Sequence, residues 1–178
     1  MQNTSQQFDE IIKICRDLFV KKNSDYGASF RVLRTSSVID QIFIKVKSLR
    51  NFQETGISKV GDTPEDNFIA IVNYSVIGLI QLEKGFADDF DMGISEIMEF
   101  YDKITAEAKS LMEHKNHDYG EAWREMYVSS ITDLIFQKIL RTKKIIEQNE
   151  QLSVSEGIDA NYFDMLNYAV FCLIKLKN

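Results

Sequence analysis

The chain has 178 residues, 44% of them hydrophobic, with one proline and eight glycines, enough to bury a substantial core and too few breakers for the turn-dense rhythm of an all-β protein. Its 21 basic and 27 acidic residues leave a net charge of −6. That excludes a global positive field able to hold a bare nucleic acid, while a small anionic ligand at a local lysine cluster stays open. Cys15 and Cys172 sit among apolar residues with no Cys-x-x-Cys pairing and read as reduced core thiols. The polar start, Met1 to Gln7, shows no secretory signal, so the expected compartment is the cytoplasm. The most apolar segment, Ile69 to Leu82, is too short to span a bilayer.

Phe8, Ile11, Ile12, Cys15, Leu18 and Phe19 recur at three- and four-residue steps, which predicts an amphipathic first helix ending near Lys21-Lys22. The segment Lys22-Asn23-Ser24-Asp25-Tyr26-Gly27 follows, expected as a loop whose glycine takes a positive φ. Ser37 with Asp40 three residues on reads as a capping box opening a second helix that runs to about Glu54. Thr63-Pro64-Glu65-Asp66 opens a third, which should stop at Gly85. Residues 86–92 are short and acidic and make a hinge.

The pattern then starts again. Lys115-Asn116-His117-Asp118-Tyr119-Gly120 repeats the first motif 93 residues later, and residues 22–50 match 115–143 at 12 of 29 positions. Residues 67–82 match 161–176 at 7 of 16 with an offset of 94, pairing Asn73-Tyr74 with Asn167-Tyr168. Unrelated segments of those lengths would match at about one or two positions. The chain is therefore a tandem duplication, repeat one spanning 1–87 and repeat two 88–178 within a single domain. Repeat two supplies helices from about Ile94 to Lys115, from Ser130 to about Asn149, and from about Val154 to Lys177.

The fold class expected is all-α, six helices in two three-helix units. The third helix of each unit is apolar nearly all round, so both should pack centrally, with the units related by a pseudo-twofold axis. A homodimer of such chains is compatible with the pattern, which does not demand one.

Polar residues inside the apolar third helices need partners. Asn73, Asp164 and Asn167 read either as a pocket wall for a metal or ligand or as amides bonded to neighbouring helices. Asp25 and Asp118, each three residues after Lys22 or Lys115, pair a carboxylate with an ammonium, as a cation site beside a phosphate contact would need. An Asx-type turn is the bland alternative. Tyr119 and Trp123, like Tyr26 and Phe30, are four apart and would share a face if the stretch after the glycine were helical, clamping a base by stacking or filling the core. Lys138-Ile-Leu-Arg141, matched by Lys45 in repeat one, reads as a solvated face. Glu65, Asp66 and Glu156 sit where helix starts favour acids. His114 and His117 have no counterparts in repeat one, and no Ser/His/Asp order is present.

The Lys-x-x-Asp-Tyr-Gly motif with an aromatic three residues on, the lysine-bearing middle helix and the Asn-Tyr of the third helix together resemble the nucleotide modification associated domain family, type 1, once per repeat. That family in turn resembles the MazG-type all-α nucleoside triphosphate pyrophosphatases, and the resemblance implies a magnesium-dependent hydrolase that holds Mg²⁺ on carboxylates against the phosphates. In the residues of this chain it implies Asp25, Asp118, Glu156 and Asp164 as metal ligands, Lys22 and Lys115 on phosphate, and Tyr26, Tyr119, Asn73 and Asn167 against the base or sugar of a small nucleotide. The family's third helix looks to carry two acids four residues apart. Here repeat one has Asp66 and then Ala70, repeat two Ala160 and then Asp164. The pyrophosphatases' Glu-x-x-Glu is missing from residues 37–54 and 130–149. The resulting expectations are a site composed from both repeats or a protein that binds a nucleotide without cleaving it, against the alternative of a non-catalytic helical interaction module.

Overall fold

A computed structural model describes residues 3–148 and 157–178, the side chain of Tyr26 excepted. Among these residues the chain forms six α-helices: α1 (Thr4–Tyr26), α2 (Thr35–Thr55), α3 (Pro64–Lys84), α4 (Ile94–Tyr119), α5 (Val128–Gln148) and α6 (Ile158–Lys177). Short 3₁₀ turns, Ser29–Val32 and Ala122–Glu125, follow α1 and α4. No strand occurs among the described residues, and no helix there is long and apolar enough to cross a membrane.

The helices stack as three layers of two, each layer taking one helix from each repeat. Helices α3 and α6 form the middle layer, α2 with α5 covers one side, and α1 with α4 covers the other. Burial explains the order. Helix α3 buries Phe68, Ile71, Val72, Val76 and Ile80 completely and α6 buries Tyr162, Met165, Leu166, Ala169 and Val170, so both need apolar neighbours on several sides. Helix α1 has only the stripe Phe8, Ile11, Cys15 and Phe19 to bury, which suits an outer layer.

The pseudo-twofold is written in matched contacts. On the outer face of α1 and α4, Arg16 pairs with Asp102 at 2.7 Å and Lys109 with Asp9 at 2.7 Å. Shifting either pair by 93 residues gives the other. Across α2 and α5, Lys143 pairs with Asp40 at 2.7 Å and Arg50 with Asp133 at 3.6 Å, again the same two positions exchanged. Phe43 and Phe136, themselves counterparts, stack with centroids 6.1 Å apart. Arg50 lies over Phe136 and Lys143 over Phe43. Both layers thus pair antiparallel helices.

These contacts correct one expectation. Asp40 is not the second half of a capping box, and its counterpart Asp133 is not one either, because α2 starts at Thr35 and α5 at Val128, ahead of Ser37 and Ser130. Their carboxylates instead serve the partner repeat. The box at Thr63 is present as expected: the Thr63 N–H donates to Asp66 Oδ2 at 2.9 Å and the Asp66 N–H to Thr63 Oγ1 at 3.2 Å.

Each 3₁₀ turn is held by one arginine and by one side chain from the end of a central helix. Arg31, almost fully buried, donates to Asp91 at 2.8 Å, to the Gly85 carbonyl at 2.7 Å and to Gln81. Its counterpart Arg124 donates to Glu121, Thr4 and Gln7. Gln81 donates its amide to the Phe30, Arg31 and Leu33 carbonyls, and Lys175, at the same place in α6, donates to the Arg124 carbonyl at 2.6 Å. The turn in each repeat is thereby fixed on the central layer.

Candidate functional site

The duplicated motif is helical, not a loop. Helices α1 and α4 run on through Asp-Tyr and end only at Gly27 and Gly120, both at positive φ. Nothing earlier breaks the ladder, since Asn23 and Asn116 turn their amides back to Phe19 O and Met112 Sδ one turn below. Lys22 and Lys115 consequently stand near helix C-termini, where the carbonyl ends favour a cation.

In repeat two, Lys115 meets Asp164. Its ammonium lies 2.7 Å from Asp164 Oδ1, and Lys138 from α5 lies 3.0 Å from Asp164 Oδ2. Each carboxylate oxygen takes one ammonium, and the Asp164 and Lys138 side chains are each only 18% exposed. Two cations on one carboxylate leave a local surplus of positive charge, the reverse of what a divalent cation needs. Asp164, expected as a metal ligand, stands here as the anion of a lysine bridge. Lys138 is likewise corrected from a solvated face to a half-closed partner.

The other expected ligands do not join it. Asp118 is 73% exposed and turns to His117 at 3.1 Å, and Asp25 is exposed. Glu156 lies outside the described residues. Among those that are described, no group of three or more His, Cys, Asp and Glu gathers around a common point. Tyr119 and Trp123 do not form a clamp: Gly120 and Glu121 are both left-handed, at φ 60° and 57°, which breaks the helical register between them. Tyr119 is 72% exposed, while Trp123 is buried flat on Phe171 at 4.4 Å and 5°. Of Tyr26, which ends α1, the side chain lies outside the described residues.

Asn73 and Asn167 bond neighbouring helices. Asn73 Nδ2 donates to the Cys15 carbonyl and Asn167 Nδ2 to the Ala108 carbonyl, each at 3.0 Å. The Asn73 oxygen accepts from the Tyr101 hydroxyl at 2.8 Å. Burial pushes the Tyr101 phenol well above its ordinary value, which keeps it the donor. The counterpart of Tyr101 in repeat one is Phe8, and the Asn167 oxygen has no partner among the described residues.

Repeat one is open at the equivalent place. A cleft of about 620 Å³ is lined by Lys22, Lys45, Asp62, Asp66, Asn73 and Tyr74, with Phe19, Phe30, Leu33 and Ile77 as apolar walls. Lys22 and Lys45 are the counterparts of Lys115 and Lys138, but Ala70 stands where repeat two has Asp164. Lys22 has no ion-pair partner among the described residues, and Lys45 lies 3.9 Å from Asp62. Asp66 keeps one oxygen in the α3 capping box. Tyr74, half-buried, has its phenol raised by desolvation. Sequence reasoning passed over Asp62, although the 94-residue offset maps it onto Glu156; it took Lys45 for surface because its cleft partners come from other helices.

This cleft, which combines lysines, carboxylates and aromatic walls, lies in a duplicated all-helical domain. The family model for nucleotide modification associated domain 1 matches the chain twice, at residues 22–82 and 115–176. The chain belongs to that family, with one family unit in each repeat. Neither the curated proteins nor the solved structures contain a match to it.

Proposed function

We propose that this chain is a cytoplasmic nucleotide-binding protein that takes one Mg²⁺-nucleotide in the repeat-one cleft. The observation that carries the reading is the lining of that cleft, which brings two lysines, two carboxylates and an apolar wall around one volume large enough for a nucleotide. The lysines match phosphate, and Phe30, Leu33 and Tyr74 offer faces to a base. Mg²⁺ is commonly held by one or two carboxylates together with substrate phosphates, and the donor set fits that habit. Asp62 and Asp66 would hold it, the ion supplying charge neutralisation for the phosphates. The family's name, which ties it to nucleotide modification, supports the ligand class. Cys15, its thiol pushed up to about 12 by burial, is suited to remaining reduced.

Release of pyrophosphate is the second reading, favoured by the two rim carboxylates beside the phosphate lysines. Isothermal titration with nucleoside triphosphates, with and without Mg²⁺, tests the first reading, and a pyrophosphate-release assay tests the second. Binding that is lost in Lys45→Ala and weakened in Asp62→Asn is expected. Absence of heat for every nucleotide, with or without metal, would leave the helical interaction module as the better account.

A further inference from the structure

We infer that Ala70 leaves, between Lys22 and Lys45, a seat for one phosphate of the ligand, and that Asp164 fills the equivalent seat in repeat two, so the chain carries one working site and one self-filled copy of it. The inference rests on the repeat-one cleft being a ligand site and adds which group of the ligand is recognised and how many ligands bind.

The argument is a comparison of the molecule with itself. Offsets of 93 and 94 residues carry Lys22, Lys45 and Ala70 onto Lys115, Lys138 and Asp164. In repeat two the two ammonium groups close on one small anion, at 2.7 and 3.0 Å from its separate oxygens. A phosphate presents oxygens that accept from ammonium donors as a carboxylate does. Asp164 therefore shows what the lysine pair is shaped to hold. In repeat one the side chain ends at a methyl group, both lysines line the open cleft, and the nearest acid to Lys45 is Asp62 at 3.9 Å. Lys45 is only 28% exposed, so its charge has lost much of its hydration and gains from an anion.

The second acid position is exchanged the opposite way. Repeat one keeps Asp66 four residues before Ala70, and repeat two keeps Ala160 four residues before Asp164. The acid retained in repeat one stands at the rim in a capping box and leaves the lysines open. The acid retained in repeat two sits on the lysines and closes them. A ligand without an anionic group has nothing to offer this seat, so phosphorylated nucleotides are held and the bare nucleosides are not.

Inorganic pyrophosphate, a nucleoside triphosphate and its nucleoside, each titrated calorimetrically into the full chain, test the inference. One pyrophosphate or triphosphate per chain and no measurable binding of the nucleoside are expected. Ala70→Asp should weaken both phosphate ligands at least tenfold, and Asp164→Ala should raise the stoichiometry from one to two. Asp164→Asn keeps the shape of the side chain while removing its charge and serves the same purpose if the alanine variant does not fold; pyrophosphate should then raise its melting temperature more than that of the wild type. Two sites in the wild type, one site in a folded Asp164 variant, or full affinity in Ala70→Asp would each overturn the inference. Equal affinity for nucleoside and triphosphate would overturn it while leaving the cleft a nucleotide site, whereas no binding of any nucleotide to the wild type would remove the nucleotide reading itself.

Discussion

The two repeats share a backbone plan and differ in which polar groups have found partners. In repeat one the Asn73 amide is satisfied at both ends, by the Cys15 carbonyl and the Tyr101 hydroxyl, while the lysine pair faces an open cleft. In repeat two the lysine pair is closed on Asp164, while the buried Asn167 oxygen has no partner among the described residues. Duplication supplied two equal frames. Single substitutions, Ala70 against Asp164 and Phe8 against Tyr101, then left the lysine pair open in one half and closed in the other.

Exchanging residues between the repeats sharpens this contrast, and the largest effect is expected at Gly78. Its counterpart is Cys172, and a Cβ at Gly78 would lie 2.3 Å from the Tyr162 ring. Gly78→Cys should therefore cost about 1–3 kcal/mol or more by overpacking, read from chemical denaturation. Tyr101→Phe leaves the Asn73 oxygen buried and unpaired and should cost about 1–3 kcal/mol. The reverse exchange, Phe8→Tyr, places a hydroxyl where the Asn167 oxygen lacks one and should add about 0.5–1.5 kcal/mol. A destabilised Phe8→Tyr would show that the two amide environments are not equivalent.

Smaller effects belong to the surface. The half-exposed Asp40–Lys143 pair should show a coupling of about 0.2–1 kcal/mol in a double-mutant cycle, reduced by salt. Two carboxylates contribute to the acid side of the stability profile. The Arg31 guanidinium holds Asp91 below its ordinary value, and the Thr4 hydroxyl with Arg124 does the same for Glu121. A depressed carboxylate stabilises the fold above the unfolded value of about 4 and loses that contribution as pH falls through its lowered value. Asp91→Asn and Glu121→Gln should each flatten the loss of stability below about pH 4, one through the linker and one through the start of α1.

The duplication, the six helices and the α3 capping box were legible because each is a local pattern: repeated letters, a 3.6-residue period, Thr-Pro-Glu-Asp. What stayed hidden depends on a facing helix. Asp40 looks like a helix-start acid in one dimension and proves to be half of an ion pair whose other half lies 103 residues on. Asp164 was legible as an unusual acid in an apolar helix, but the ammonium groups that claim it come from α4 and α5. The motif looked like a loop because Asn, Asp and Gly favour turns; the asparagine side chains instead bond back one turn and let the helix run to the glycine.

The most direct measurement compares two equivalent lysines. Lys22→Ala and Lys115→Ala remove the same position from the two repeats, and nucleotide affinity is read for both by titration calorimetry. The unequal roles of the repeats predict at least a tenfold loss for Lys22→Ala and unchanged affinity for Lys115→Ala. Equal losses in the two variants, or a loss confined to Lys115→Ala, would contradict the assignment of the ligand to repeat one.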